Sequence, residues 1–210
     1  MTAEPVTRHA RKERTRRALL DAALRLLADG GFTGLSLREV TKQAGIVPTA
    51  FYRHFTSMDE LGVVLVEESM RTLRATIREA RRDSRSSADI IGASVRTLHE
   101  HVRAHEAHFR FVIRERHGGA GPVRQAIAFE LKLVTSELAV DLARFKYLRD
   151  WTTDDLRMVA DLIVTAMLAT VLELLEARAG DTETDERILR RAEKKLRLIT
   201  LGMPQWRSGT

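Results

Sequence analysis

The chain has 210 residues, 44% hydrophobic and 30% charged, with a formal net charge of +6 and no cysteine. That length suffices to bury a core, as one large domain or as a small one plus a medium one, and the lack of cysteine excludes disulfides, thiolate metal sites and a cysteine nucleophile. Met1–Arg17 is polar and basic and no apolar run is long enough for a bilayer, so neither a secretory leader nor a membrane span is expected and the cytoplasm is the default location.

Up to residue 56 there are ten Lys or Arg against five Asp or Glu, whereas the remainder is nearly balanced. A basic N-terminal module on a near-neutral body suggests a polyanion partner for that module, although a solvated basic tail has the same charge. Ala, Leu, Arg and Glu are abundant and only 4 prolines interrupt them, which favours helix.

In chain order, residues 1–12 read as a flexible basic arm. From Glu13 to Asp29, Leu20, Ala23, Leu24 and Leu27 recur at helical spacing, and Gly30-Gly31 ends the helix. Ser36-Leu37-Arg38-Glu39 is a capping box, with Leu37, Val40 and Ala44 facing inward until Gly45 stops the short helix. Pro48 suits the first turn of a second short helix, expected to run to about Phe55. Two short helices joined by a Gly-containing turn predict a helix-turn-helix, and 13–56 is taken as that domain. A second box, Ser57 to Glu60, opens a long helix to about Arg82, with Leu61, Leu65, Leu73 and Ile77 on one face. Further helices are expected at about 88–104, 106–116, 122–146, 153–179 and 184–201, making 57–210 a larger helical body. The fold class expected is all-α, with nine helices and no strand.

The candidate interface lies in the helix after Gly45. With Phe55 and Val47 packed inward, its opposite face shows Thr49, Tyr52 and Arg53, with Ala50 among them and Phe51 and His54 at the margins. Such a helix fits the major groove; Thr49 offers a hydroxyl and a methyl to base edges, and Tyr52, Arg53 and His54 offer donors to phosphates. The helix start at Ser36 presents free backbone N–H groups to a phosphate oxygen. Arg14, with Arg11 and Lys12, adds contacts from the arm.

The string from about 13 to 61, with its capped short helix, Ala-Gly, a helix ending Phe51-Tyr52-Arg53-His54-Phe55 and a long capped helix, resembles the TetR family of regulators. The resemblance implies a double-stranded DNA operator, a helical body for a small effector, a homodimer, and repression as the family default. One departure is Met58, where many members carry a lysine that touches phosphate.

The 153–179 helix is apolar on more than one face, which a monomer's surface helix would not be. One face meeting a partner explains this, with Ile163, Met167, Val171, Ile188 and Leu196 as interface residues in a four-helix bundle; full burial within one subunit explains it too. The His108–Arg124 segment, together with the run from Tyr52 to Gly62, resembles a narrower group, TetR-like regulators of fatty-acid desaturation that respond to acyl-CoA or acyl carrier protein thioesters. Arg110, Arg114, Arg116 and Arg124 would then hold a CoA phosphate and an apolar tunnel the long acyl chain; surface ion pairs account for the same arginines. His101, His105 and His108 lie at i, i+4 and i+7, a spacing conceivable for zinc or iron, but their charged neighbours suit a solvated face, and no metal or other cofactor is expected.

An enzyme is not expected: there is no His-Glu-x-x-His, no dinucleotide glycine fingerprint, and no Lys-Ser/Thr after Gly118-Gly119-Ala120-Gly121. The rival classes are a TetR-like repressor with another hydrophobic ligand or drug, a helical protein-binding adaptor, and an architectural DNA-binding protein. The adaptor would lack salt-sensitive DNA affinity, and the architectural protein would lack an operator preference.

Overall fold

A computed structural model describes residues 8–27, 30–82, 87–118 and 121–209. Among them are nine α-helices and no strand, as the helical spacing predicts. They are α1 Arg8–Leu26, α2 Leu37–Ala44, α3 Pro48–Phe51, α4 Met58–Arg82, α5 Ser87–Ala104, α6 Glu106–Gly118, α7 Gly121–Leu142, α8 Thr153–Glu176 and α9 Thr182–Gly202. Short 3-10 turns at Phe32–Gly34, Lys146–Leu148 and Met203–Gln205 join or end them.

Two boundaries correct the sequence reading. The expected arm, 1–12, is helical from Arg8 onward, so Arg11, Lys12 and Arg14 are carried on exposed turns of α1. Residues 8–12 are good helix formers with no proline among them, which lets the helix extend back; residues 1–7 lie outside the described residues. The second short helix ends at Phe51, and residues 52–54 continue as turns.

The chain divides into two compact units, which run across the linear division at 56/57. One holds the chain up to Glu68 together with Arg110–Ile127; the other holds Ser69–Phe109 and the chain from Ala128 onward. The first is built on the α1 stripe: Leu19, Leu20, Ala23 and Leu27 are buried along with Val40, Phe51, Phe55, Leu61 and Phe32. α4 enters it through Gly62, where a Cβ would stand 2.5 Å from Cζ of Phe32 and 2.7 Å from Cγ2 of Val123. Nothing but hydrogen fits there, so the helix can approach this closely only at a glycine.

In the second unit, α8 packs against α9 and both against α5. One cluster joins Leu138, Leu142, Leu148, Leu156, Ala160, Val164 and Met203; another joins Ile91, Val95, Ala192 and Leu196. Charged side chains inside this unit are paired. Arg74 binds Glu130, Arg78 binds Glu137 at 2.7 Å, and Asp185 receives His99 at 2.7 Å and the Nε of Arg103 at 2.9 Å.

The proposed interface residues on α8 and α9 are largely spent within the subunit. Val171 is 3%, Ile188 7% and Leu196 5% exposed, while Ile163 and Met167 are half-buried against the same clusters. At 3.6 residues per turn the opposite stripe of α8 runs through Met158, Leu162, Thr165, Ala169 and Leu172, all exposed, and Leu198 and Leu201 are exposed on α9. The sequence shows two apolar faces on α8 but not which one the subunit consumes. The same double use makes α8 the helix, among the described residues, that is long and apolar enough by length and composition to cross a membrane.

Candidate nucleic-acid interface

The helix-turn-helix is set by local hydrogen bonds. Ser36 Oγ accepts from the Glu39 backbone N–H at 3.2 Å, and Glu39 Oε2 accepts from the Ser36 N–H at 3.0 Å and its hydroxyl at 2.6 Å. The capping box is therefore present as expected, with a consequence for the phosphate contact assigned to Ser36. Its N–H and hydroxyl are already committed to a carboxylate, and hydrogen bonds from that serine hold the Glu39 carboxyl below the usual range, in its charged form. A phosphate at this helix start must use other donors or displace Glu39.

Gly45 closes α2 at φ 69°, a left-handed conformation that favours glycine, and its N–H returns to Lys42 and Thr41 carbonyls. The turn leads into α3 through Val47, whose backbone is extended (φ −70°, ψ 142°). Because Val47 sits outside the helix, its side chain does not follow the Phe51–Phe55 face. It is 65% exposed, contrary to the expected inward packing.

Phe51 is the second correction here. Placed at the DNA by sequence, it is fully buried, packed against Phe55 with ring centroids 5.5 Å apart. Residues at i and i+4 share a helix face, so once Phe55 is core, Phe51 is core with it. Ala50 is half-buried. Thr49, Tyr52 and Arg53 face solvent, Tyr52 with 64% exposure. His54 is half-buried; burial first, then the charges of Lys12 and Arg16, lower its pKa and keep the ring neutral at pH 7.

The sequence reading passed over Arg16. Its guanidinium lies 4.6 Å from the Phe55 ring centroid and donates to the His54 carbonyl at 3.2 Å, fastening the end of the α3 segment to α1. The signal was present: Arg16 extends the Leu20, Ala23, Leu27 stripe by one turn. At the start of α4, Ser57 Oγ accepts from the Glu60 N–H at 3.1 Å, and the Glu60 carboxylate takes the hydroxyl of Thr56 at 2.6 Å.

The four arginines proposed for a CoA phosphate have different surroundings. Arg114 is occupied: its Nη1 donates to the Leu27 carbonyl at 3.0 Å and also to the Gly30 carbonyl, both just beyond α1. Its neighbour Glu115, buried, accepts from the Phe32 N–H at 2.9 Å. Arg110 and Arg124 are exposed and Arg116 is half-buried. A cleft of about 280 Å³ in the second unit is lined by Glu173, Glu176, Thr184, Arg187, Ile188 and Arg191, and by none of these four.

The three histidines do form a ladder, with ring centroids 4.6 Å apart for His101 and His105 and 5.8 Å for His105 and His108. Burial, then the charge of His105, lowers the His101 pKa. Among the described residues no group of three or more His, Cys, Asp or Glu is arranged to hold a metal ion.

The same two-part organisation recurs in known proteins. A family model described as bacterial regulatory proteins, tetR family, matches residues 19–62, and one described as a tetracyclin repressor-like C-terminal domain matches residues 88–203. The structure of the fatty acid degradation regulator FadR from Bacillus halodurans is similar at a TM-score of 0.71 and 16% identity, over 95% of this chain and 96% of that one. A TetR-family transcriptional regulator from Streptomyces coelicolor is similar at 0.69 and 20% identity, over 90% and 97%. A transcriptional regulator from Rhodococcus is similar at 0.68 and 20% identity, over 91% and 96%. At such identities the three structures show a shared fold, while the two family models together take in both the helix-turn-helix and the helical body. The chain is a DNA-binding regulator rather than an enzyme, and it belongs to the TetR family of bacterial transcriptional regulators.

Proposed function

We propose that this protein represses its target genes as a homodimer on a palindromic operator and releases them when a small hydrophobic effector binds the body. The observation that carries the reading is the outward face after Gly45, where Thr49, Tyr52 and Arg53 stand exposed in the same unit as Arg11, Lys12 and Arg14. Thr49 addresses base edges, and Tyr52 and Arg53 address phosphates from the major groove. The exposed stripe Met158, Leu162 and Leu172 on α8, with Leu198 and Leu201 on α9, supports a second copy as the partner of that face. Two heads so joined would read half-sites about 34–36 Å apart.

For the effector, a long-chain acyl-CoA is the first compound to test, and with it control of lipid or fatty-acid genes. Arg110, Arg116 and Arg124 remain candidates for its phosphates. Arg114 is removed from that set, because it binds the carbonyls of Leu27 and Gly30 just beyond α1.

The experiment is selection from random duplex DNA by the purified protein, with and without long-chain acyl-CoA. The expected outcome is one palindrome, lost when acyl-CoA is added. A palindrome indifferent to acyl-CoA keeps the regulator and rejects this effector, and no enriched sequence rejects operator binding. Leu162→Glu, measured by sedimentation, is expected to convert a dimer to a monomer; an unchanged mass would place the interface elsewhere.

A further inference from the structure

We infer, resting on the DNA-binding reading above, that Val47, with Thr49 beside it, recognises thymine methyl groups, and that this helix does not read base edges through long polar side chains. From Gly45 to Tyr52 the chain contains no Arg, Lys, Asn, Gln, Asp or Glu. The side chains that make bidentate contacts to guanine or adenine are therefore missing from Gly45 to Tyr52, and the first that follows, Arg53 in the turn after α3, is the one assigned above to phosphate. The side chains this segment exposes are Val47, Pro48, Thr49 and Tyr52, while Ile46 and Ala50 are half-buried and Phe51 is buried.

Val47 is held outward by its backbone. It is the N-cap of α3 in an extended conformation, its carbonyl accepts from the Ala50 N–H at 2.9 Å, and the following proline disfavours the helical alternative that would turn it inward. A β-branched side chain is stiff about its first torsion, so its two methyl groups are presented in a defined direction. The apolar feature on the base edges of the major groove is the C5-methyl of thymine. Covering that methyl with Val47 removes apolar surface of both from water. A single exposed valine is ordinary on a protein surface; this one is the N-cap of the helix placed to enter the groove, in a segment without side chains for bidentate base contacts.

The test uses the full chain and the duplex recovered by selection. Each thymine in turn is replaced by uracil, which removes only the methyl group, and the affinities of wild type and Val47→Ala are measured by fluorescence anisotropy at one salt concentration. At one position of each half-site, uracil is expected to weaken wild type roughly three- to fivefold. Val47→Ala is expected to be indifferent to that change, with helix content and thermal midpoint retained because the side chain is mostly exposed. No thymine whose methyl matters to wild type, or the same penalty in both proteins, overturns the inference and leaves operator binding standing. A selection that enriches no duplex overturns operator binding itself, and the inference with it.

Discussion

The caps that flank α3 join groups close by in sequence, whereas the buried carboxylate of α9 finds its partners far away. Ser36 pairs with Glu39 and Thr56 with Glu60, three and four positions on. Asp185, by contrast, is held by Arg103 and His99, 82 and 86 positions back. Local caps form with the helix they cap and lie in solvent. The distant pairs exist only once α5 and α9 have packed, and they then stand partly desolvated, where breaking one strands the other charge. The two regions should therefore respond differently to substitution, and neighbouring residues within the head should differ as sharply as the regions do.

The largest contrast is between adjacent rings. Phe51→Ala is expected to cost about 3–5 kcal/mol, because it empties a fully buried site. Tyr52→Ala, its exposed neighbour, should stay within about 0.5 kcal/mol of wild type while weakening DNA binding. Urea denaturation beside an anisotropy titration reads both; equal stability losses would mean that the side of α3 facing the core has been misassigned.

Asp185→Asn comes next, at about 2–3 kcal/mol, below the range for a fully buried pair since Arg103 and His99 retain some exposure. The hydrogen bond from Arg103, with that of His99 behind it, holds the Asp185 carboxyl below its ordinary value of 3.8. A depressed carboxylate contributes stability above the unfolded pKa and loses it as pH falls through the folded one. The wild type should therefore destabilise below about pH 4, and the variant should lose part of that slope. Parallel acid limbs for the two proteins would mean the long-range pair adds nothing to stability.

Gly62→Ala is the smallest effect and tests whether the head is purely local. Helix propensity alone predicts a gain of up to about 1 kcal/mol for alanine. A Cβ here meets Phe32 at 2.5 Å, and that ring is buried and packed near Phe111 with centroids 5.9 Å apart, so it cannot withdraw freely. A net loss of about 1–2 kcal/mol is expected in thermal or urea unfolding. A gain would show that the head tolerates local rules alone.

Much of the architecture was legible from residue spacing. The capping box at Ser36, the stop at Gly45, the proline opening α3 and the order of the nine helices are short-range signals, each set by backbone groups within a turn of the residue that satisfies them. Thr49, Tyr52 and Arg53 were placed outward for the same reason, from their position relative to Phe55.

Which faces the packing consumes was decided only by the tertiary structure. Periodicity marks α8 as apolar on more than one face, yet only the neighbours α5 and α9 determine that Val171 is spent inside and Leu162 is left outside. Resemblance and charge make Arg114 a candidate phosphate ligand, but the carbonyls it binds lie 84 and 87 positions back in the chain. Val47 reads as core by spacing and is exposed because one extended residue at the helix start breaks the helical count. Short-range hydrogen bonds are written into neighbouring residues, whereas burial and distant pairing depend on which surfaces meet, and that is settled only when the whole chain has packed.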